Sequence, residues 1–177
     1  MNVSRPHAMT ARCALVALLG VSACDSNPVT PITPDLVAPV QGGAGVTAYL
    51  SLSVLQPRAG DRVTVGLNAV RGGAAEPIGS FTMRVTYDTT GLRFVASDQS
   101  AEGMVLANAA HGVVTVAGAS GSGFRESDLA ALTMVVIDPD ALRSLALEVV
   151  EMNAASFADQ RAGTVVDHQL HRRPLSR

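Results

Sequence analysis

The feature that most constrains the fold is an alternation of apolar and polar side chains with a period of two residues. In “VTAYLSLSV” (46–54), every second residue from Val46 to Val54 is apolar, and Thr47, Tyr49 and Ser51 lie between them. Successive side chains of a β-strand point to opposite faces of the sheet. The segment is therefore predicted to be a strand with one buried face.

The same pattern recurs along the rest of the chain, between clusters of Gly, Pro, Asp and Ser. The further segments are “RVTVGLNAV”, “IGSFTMRVTYD”, “LRFVAS”, “MVLAN”, “GVVTVAGA”, “LAALTMVVI”, “LALEVVEM” and “GTVVDH”. Many short strands at regular spacing predict an all-β domain, an antiparallel β-sandwich of jelly-roll type with about nine strands. Phe81, Tyr87 and Phe94 are expected in its core, and only “DPDALRS” (138–144) is predicted to form a helical turn.

The first 23 residues have the pattern of a secretory signal peptide. An apolar run from Cys13 to Ala23 follows a basic leader that contains Arg5 and Arg12. The run is roughly half of the ~20 residues that a transmembrane helix needs. A short apolar run that ends in small residues is typical of a cleaved signal peptide. Residues 1–23 are therefore predicted to be removed from the mature protein.

The end of this run, Val21-Ser22-Ala23-Cys24, resembles the lipobox of bacterial lipoproteins. The resemblance implies that the thiol of Cys24 receives a diacylglyceryl group and that cleavage makes Cys24 the first residue. The mature chain would then retain a single cysteine, which cannot form an internal disulfide. We expect a protein anchored in the bilayer of the bacterial cell envelope, in the inner or outer membrane, with its domain exposed to the periplasm or the exterior. The alternative is an ordinary secreted protein.

A tether is predicted between the anchor and the domain, over residues 24–45. Prolines recur through its first part and glycines follow in “QGGAG”. Proline restricts φ and removes an amide donor, so such a segment stays extended. The alternative is an irregular strand docked on the domain through Ile32, Leu36 and Val37. The sandwich is predicted to span residues 46–167, followed by a basic tail, 168–177, that contains His168 and His171.

The charge balance excludes one class of partner. All 13 basic residues are arginines, and the two in the predicted signal peptide leave 11 against 15 acidic residues. Nucleic-acid binding requires clustered basic charge. We therefore expect no nucleic-acid partner.

The order of motifs in the domain resembles a cohesin domain and its relatives among the carbohydrate-binding modules. A Gly-Asp turn precedes the second strand, and the third strand carries an inward aromatic residue and ends in Tyr-Asp before a turn into Leu-x-Phe. The residues at these places are Gly60, Asp61, Phe81, Tyr87, Asp88, Leu92 and Phe94. The resemblance covers about Val46 to Asp167 and implies a noncatalytic module that docks a protein such as a dockerin, or binds a polysaccharide. Another type of β-sandwich is the alternative.

Two candidate binding surfaces follow from this resemblance. A docking face would be formed by outward residues of two strands, namely Thr82, Arg84, Thr86, Val113, Thr115 and Ala117. Such a face needs no row of aromatic rings. A sugar platform does need exposed rings, and Tyr49 is the only outward candidate in a chain without tryptophan. Protein docking is therefore preferred over polysaccharide binding, and a merely solvated sheet face is the remaining possibility.

Catalysis, a metal site and a cofactor are not expected. General acid–base and nucleophilic mechanisms need His, Cys or paired acids brought together, but His111 alone lies inside the predicted domain and is expected in an exposed turn. Ser120 and Ser122 in “GASGSGF” do not fit the spacing of a nucleophile elbow, and this segment is predicted to be a flexible loop. Asp138 and Asp140 fall short of the six to eight oxygen ligands that calcium takes.

Overall fold

The computed structural model describes residues 45–173, apart from positions 55, 99, 101 and 126. The predicted signal peptide, the lipobox with Cys24 and the tether up to residue 44 lie outside the described residues. Within the described part the strands are β1 (Val46–Leu52), β2 (Arg62–Arg71), β3 (Ile78–Thr86), β4 (Leu92–Asp98), β5 (Met104–Ala110), β6 (Val113–Phe124), β7 (Asp128–Val136), β8 (Ala146–Ala154) and β9 (Thr164–Arg172).

The strands form two sheets, which confirms the prediction of an all-β sandwich. A five-stranded sheet has the order β4-β7-β2-β1-β9, and a four-stranded sheet has the order β5-β6-β3-β8. Neighbouring strands are antiparallel except β1 and β9, which are parallel. Short 3-10 helices at Pro139–Ser144 and Arg161–Gly163 are the helical elements of the described residues. None of the described helices is long and apolar enough to cross a membrane.

The core lies between the sheets and consists of the apolar phase of the alternation. In β1, for example, Val46, Ala48, Leu50 and Leu52 are all buried. From the four-stranded sheet, Phe81 packs into this core. Its ring contacts that of Phe124 edge to face, with 5.4 Å between the ring centroids. Space for the Phe81 ring exists because the residue opposite it, Gly118, has no side chain.

The turns account for several of the residues that carried the resemblance. Gly60 has φ +94°, a backbone region that favours glycine, and β2 begins two residues later. After β3, the Asp88 carboxylate accepts hydrogen bonds from the backbone N–H and the hydroxyl of Thr90, both at 2.8 Å. Both bonds lower the pKa of Asp88, and the bond from the backbone N–H has the larger effect. Asp88 therefore stabilises a turn.

Two further turns agree with the sequence-based expectations. The helical turn predicted at 138–144 is the 3-10 helix Pro139–Ser144, whose first turn is capped by the Asp138 carboxylate accepting from the N–H of Asp140 at 3.0 Å. His111 is exposed in the two-residue turn between β5 and β6, as predicted, with φ +51° beside Gly112 at φ +78°. Positive φ at both central residues is typical of a type I′ hairpin turn.

The prediction of a basic tail that begins at residue 168 is wrong for its first five residues. β9 extends to Arg172, because Leu170, His171 and Arg172 continue the parallel pairing with Leu50, Ser51 and Leu52 of β1. An irregularity in the register lies between the two halves of β9. The apparent break in alternation at His168 therefore marks a bulge within the strand and not its end.

The prediction of a flexible loop at “GASGSGF” (118–124) is also wrong, since β6 continues through this segment to Phe124. The pairing is irregular there. Ile78 pairs with Phe124 and Ser80 pairs with Ala119, so Gly79 alone lies opposite residues 120–123. The Ser120 hydroxyl donates to the carbonyl of Glu102 at 2.6 Å. The segment is thus a bulged part of the sheet that hydrogen bonds hold in place.

Candidate functional site

The six residues of the predicted docking face lie together on the outer face of the four-stranded sheet. They form three cross-strand pairs between β3 and β6, which are Thr82 with Ala117, Arg84 with Thr115, and Thr86 with Val113. Directly opposite residues of an antiparallel pair point to the same side of the sheet. The structure therefore brings the six residues into one continuous surface.

The edge strands β5 and β8 widen this surface to four strands. We call this surface the outer face. Its residues lie in four rows, and each row takes one residue from β5, β6, β3 and β8 in that order. The rows are Met104, Ala119, Ser80 and Asn153; Leu106, Ala117, Thr82 and Glu151; Asn108, Thr115, Arg84 and Glu148; and Ala110, Val113, Thr86 and Ala146.

The half of the outer face on β3 and β8 is polar and largely self-paired. The Arg84 guanidinium and the Glu148 carboxylate lie 3.5 Å apart, with 49% and 60% of their side chains exposed. The Glu151 carboxylate accepts hydrogen bonds from the hydroxyl of Thr82 at 3.3 Å and from the amide of Asn153 at 2.7 Å. Exposed pairs of this kind contribute only about 0–1 kcal/mol. Their polar atoms remain open to solvent and can exchange partners at little cost.

The half on β5 and β6 is apolar and exposed. Met104 and Leu106 have 64% and 63% of their surface exposed, and they lie beside Ala119 and Ala117. A shallow cavity of about 280 Å³ runs along these residues and reaches Glu151 on the far side. Apolar side chains grouped in this way on a surface mark sites of interaction more often than single exposed residues do.

Sequence reasoning missed Met104 and Leu106, although the signal was present. In “MVLANAA” both phases of the alternation carry apolar residues, with Met104 and Leu106 in one phase and Val105 and Ala107 in the other. A strand of a two-layer sandwich buries one face only, so one apolar pair had to be exposed. Which pair points outward depends on the register with β6, where Leu106 pairs with Ala117.

Tyr49, the residue of the polysaccharide alternative, does not lie in the open. It points away from the core on the outer side of the five-stranded sheet, but only 4% of it is exposed. Its ring meets that of His171 edge to face, with centroids 4.8 Å apart. The expectation of an exposed ring fails because β9 extends further than predicted and brings His171 against Tyr49. A ring buried to this extent offers no face on which a sugar could stack.

Burial raises the pKa of the Tyr49 hydroxyl, and the nearby charge of Asp128 raises it further. The unfolded chain releases this proton near pH 10, below the pKa of the folded state. Stability contributed by the protonated hydroxyl is therefore present below about pH 10 and is lost as the pH rises through the folded pKa. We expect Tyr49→Phe to lose less stability than the wild type between pH 8 and pH 11.

Urea unfolding of both proteins at the two pH values measures this effect. At pH 8 the Tyr49 hydroxyl is protonated in the folded and the unfolded chain, so the difference between the proteins there is the reference. Few other side chains change charge near pH 10, because the chain contains no lysine and only one other tyrosine, Tyr87. An equal loss of stability in both proteins at pH 11 would contradict the prediction.

The groups considered for catalysis are not assembled into a site. His171 is 1% exposed, and its Nε2 lies 3.0 Å from the Asp167 carboxylate. Its ring is therefore buried against Tyr49 and away from solvent. His111 is in an exposed turn, and the Ser120 hydroxyl donates to a backbone carbonyl. Among the described residues, no group of three or more His, Cys, Asp and Glu side chains is arranged to hold a metal ion.

Comparison by sequence finds no relative, since no model of a known protein family and no curated protein matches the chain. Comparison by structure finds cohesin domains. A non-cellulosomal cohesin from Archaeoglobus fulgidus matches with a TM-score of 0.53 and 13% identity, covering 70% of this chain and 86% of that one. The sixth cohesin of scaffoldin B from Acetivibrio cellulolyticus, solved with a Cel5 dockerin, matches with a TM-score of 0.54 and 15% identity, covering 72% and 99%.

A third similar structure is a type II cohesin–X-dockerin complex from Acetivibrio cellulolyticus, with a TM-score of 0.55, 10% identity and coverage of 69% and 95%. Identities this low indicate a shared fold and not a shared partner. The agreement extends over nearly the whole length of the cohesins. The described part of this chain therefore has the fold of a cohesin domain.

Proposed function

We propose that the chain is a noncatalytic docking module and that it binds a protein partner through the outer face. The observation that carries the proposal is the exposed apolar half of this face, formed by Met104 and Leu106 beside Ala117 and Ala119. Met104 and Leu106 are 64% and 63% exposed, so each forgoes part of the ~1.5–3 kcal/mol that full burial of a large apolar side chain contributes. A partner that covers them recovers this free energy.

The similar structures support a protein as the partner. Cohesins from Acetivibrio cellulolyticus and Clostridium thermocellum were solved in complex with dockerins. For this chain we propose a dockerin-like partner or another protein of the cell envelope. The self-paired polar groups around Glu148 and Glu151 would form the rim of the interface, where polar contacts add specificity more than affinity.

We further propose that the module is held at a membrane by acylation of Cys24. The motif Val21 to Cys24 and the short apolar run before it support this proposal. Two or more acyl chains anchor a protein stably, whereas one binds only marginally. The proline-rich tether would hold the domain away from the bilayer so that the outer face is accessible.

The docking proposal is tested by photocrosslinking in native membranes. A photoreactive phenylalanine analogue placed at Ala117 of the full-length chain, in the middle of the outer face, is expected to give one discrete adduct with an envelope protein. Leu106→Glu in the same chain is expected to reduce the adduct about tenfold or more, because it places an unpaired charge in the apolar half of the interface.

Val165→Glu is the matched control. Val165 is 63% exposed, like Leu106, and also lies on an edge strand, but it belongs to β9 of the other sheet. Both substitutions are on the surface, so each should change the free energy of unfolding by less than about 0.5 kcal/mol. Equal adducts with both variants, or no adduct from Ala117, would contradict protein docking at the outer face. Retention of the chain on insoluble polysaccharide without any protein adduct would favour the alternative.

A further inference from the structure

Phe157 lies in a three-residue turn directly after β8. The N–H of Ala154 donates to the carbonyl of Ala158 at 2.8 Å, and the N–H of Phe157 donates to the carbonyl of Ala154 at 2.9 Å. This pattern belongs to hairpin loops that combine a type I turn with a last residue in the left-handed region. Phe157 is that last residue, with φ +67°. Glycine is the favoured residue at such a position.

Neither the turn nor the core explains a phenylalanine here. The left-handed region is unfavourable for a bulky side chain. Phe157 is 91% exposed, the highest fraction among the large apolar side chains that the structure describes, so its ring gains nothing from burial. Strain of this kind is often found at binding sites, where the surrounding structure maintains it.

Phe157 lines a cavity of about 360 Å³, which we call the groove. Small residues form the rest of its lining, namely Gly79, Ser80, Ala119, Ser120, Gly121, Ala154 and Ala155. A side chain at Gly79 would collide with the backbone of Ala154 and Ala155. The bulge of β6 shapes the opposite wall, and the bond from Ser120 to the Glu102 carbonyl holds it.

The groove is continuous with the apolar half of the outer face. Ser80 and Ala119 line both the groove and the shallower cavity beside Met104 and Leu106. An apolar band therefore runs from Leu106 past Met104 and Ala119 to Phe157, across the end of the four-stranded sheet. Within this band, the groove is the part that an exposed aromatic residue, Phe157, lines.

One charged side chain, that of Glu151, lines the two cavities in the described part of the chain. No basic side chain lines either cavity in the described part of the chain, whereas the Glu151 carboxylate lines the cavity next to the groove. Opposite charge across an interface suppresses wrong partners and guides encounter. An apolar group flanked by positive charge is the complement of this surface.

From these observations we propose that Phe157 and the groove form an anchor site, which binds an apolar side chain of a protein partner whose neighbouring residues are basic. The proposal rests on the proposed function, because it identifies where the outer face would hold the partner most tightly. It differs from the sequence-based prediction, which placed the docking face on Thr82, Arg84, Thr86, Val113, Thr115 and Ala117. Aromatic residues beside well-packed pockets commonly dominate binding energy in protein interfaces.

A randomised peptide library displayed on phage, selected against the full-length chain in detergent, tests the partner's chemistry. We expect the enriched peptides to carry Leu, Met or Phe next to Lys or Arg. Phe157→Gly is expected to bind these peptides at least about tenfold more weakly, and Phe157→Tyr is expected to bind them as the wild type does. Because glycine suits the left-handed backbone, Phe157→Gly should keep the thermal unfolding temperature of the wild type or raise it.

Unchanged binding by Phe157→Gly, enrichment of acidic peptides or no enrichment would each overturn the anchor site. Self-association of the chain that Phe157→Gly abolishes would assign the ring to a second copy, and would overturn the proposed partner chemistry. The crosslink from Ala117 tests the proposed function separately. If Leu106→Glu removes that adduct while Phe157→Gly binds the peptides normally, docking stands and the anchor site does not.

Discussion

Replacement of Phe81 by alanine is expected to lower the free energy of unfolding by about 3–5 kcal/mol, the range found when a buried phenylalanine is truncated. Phe81 is 1% exposed and contacts Phe124 edge to face. The Cβ of a larger residue at Gly118 would lie within 2.5 Å of the Phe81 ring, which shows how closely β6 approaches it. β-strands paired on both sides cannot collapse to fill the space, so most of the cavity should persist.

Urea unfolding followed by circular dichroism measures this loss, with Phe157→Ala as the control. The control removes the same atoms from a ring that is 91% exposed, so its free energy of unfolding should change by no more than about 0.5 kcal/mol. The strain at φ +67° remains in Phe157→Ala, since alanine also has a Cβ. Similar losses in the two variants would show that Phe81 is not a centre of the core.

Replacement of Cys24 by serine is expected to abolish lipid labelling of the protein and to weaken its association with the membrane fraction. A thioether forms only on a thiol, so serine cannot accept the diacylglyceryl group. Each acyl CH₂ that leaves the bilayer forfeits about 0.8 kcal/mol.

Growth with an alkyne-tagged fatty acid, followed by fractionation, measures both acylation and membrane association. Cys13→Ser is the matched control, because Cys13 is the other cysteine of the chain and lies within the predicted signal peptide. We expect the label to be retained in Cys13→Ser and lost in Cys24→Ser. Labelling that persists in Cys24→Ser, or a wild-type protein that is soluble and unlabelled, would refute the lipid anchor.

If both proposals hold, the lipid anchor at Cys24 and the outer face act together in binding the partner. The bilayer restricts the module to a surface, which raises its effective concentration toward any partner anchored in the same membrane. The apolar band with the Glu151 carboxylate beside it suits a partner that presents apolar and basic side chains. Loss of the anchor would then weaken docking even though Cys24 lies outside the domain.

Most of the fold was predictable from the sequence because side-chain direction along a strand is a local property. The alternation in “RVTVGLNAV” puts Val63, Val65 and Leu67 on one face of β2, and all three are buried. The clusters of Gly, Pro and Asp marked the turns. The helical turn capped by Asp138 was predictable for the same reason. The prediction failed at the bulges, in β9 after Asp167 and in β6 after Ala119. A bulge adds residues to one strand and so breaks the period of two.

For the candidate site, too, some features follow from local sequence and others depend on the tertiary structure. On β3 and β6 the alternation of the sequence by itself determined which residues leave the core, and this is why the six predicted outer-face residues lie together. On β5 both phases are apolar, so the register with β6 decided that Met104 and Leu106 point outward. The sequence also determined the candidate anchor at Cys24, since a short motif of this kind is local and requires no fold. Only the tertiary structure decided which outward residues are exposed, because exposure depends on distant parts of the chain. Tyr49 is covered by His171, whereas Leu106 and Phe157 have no described residue packed over them to the same extent.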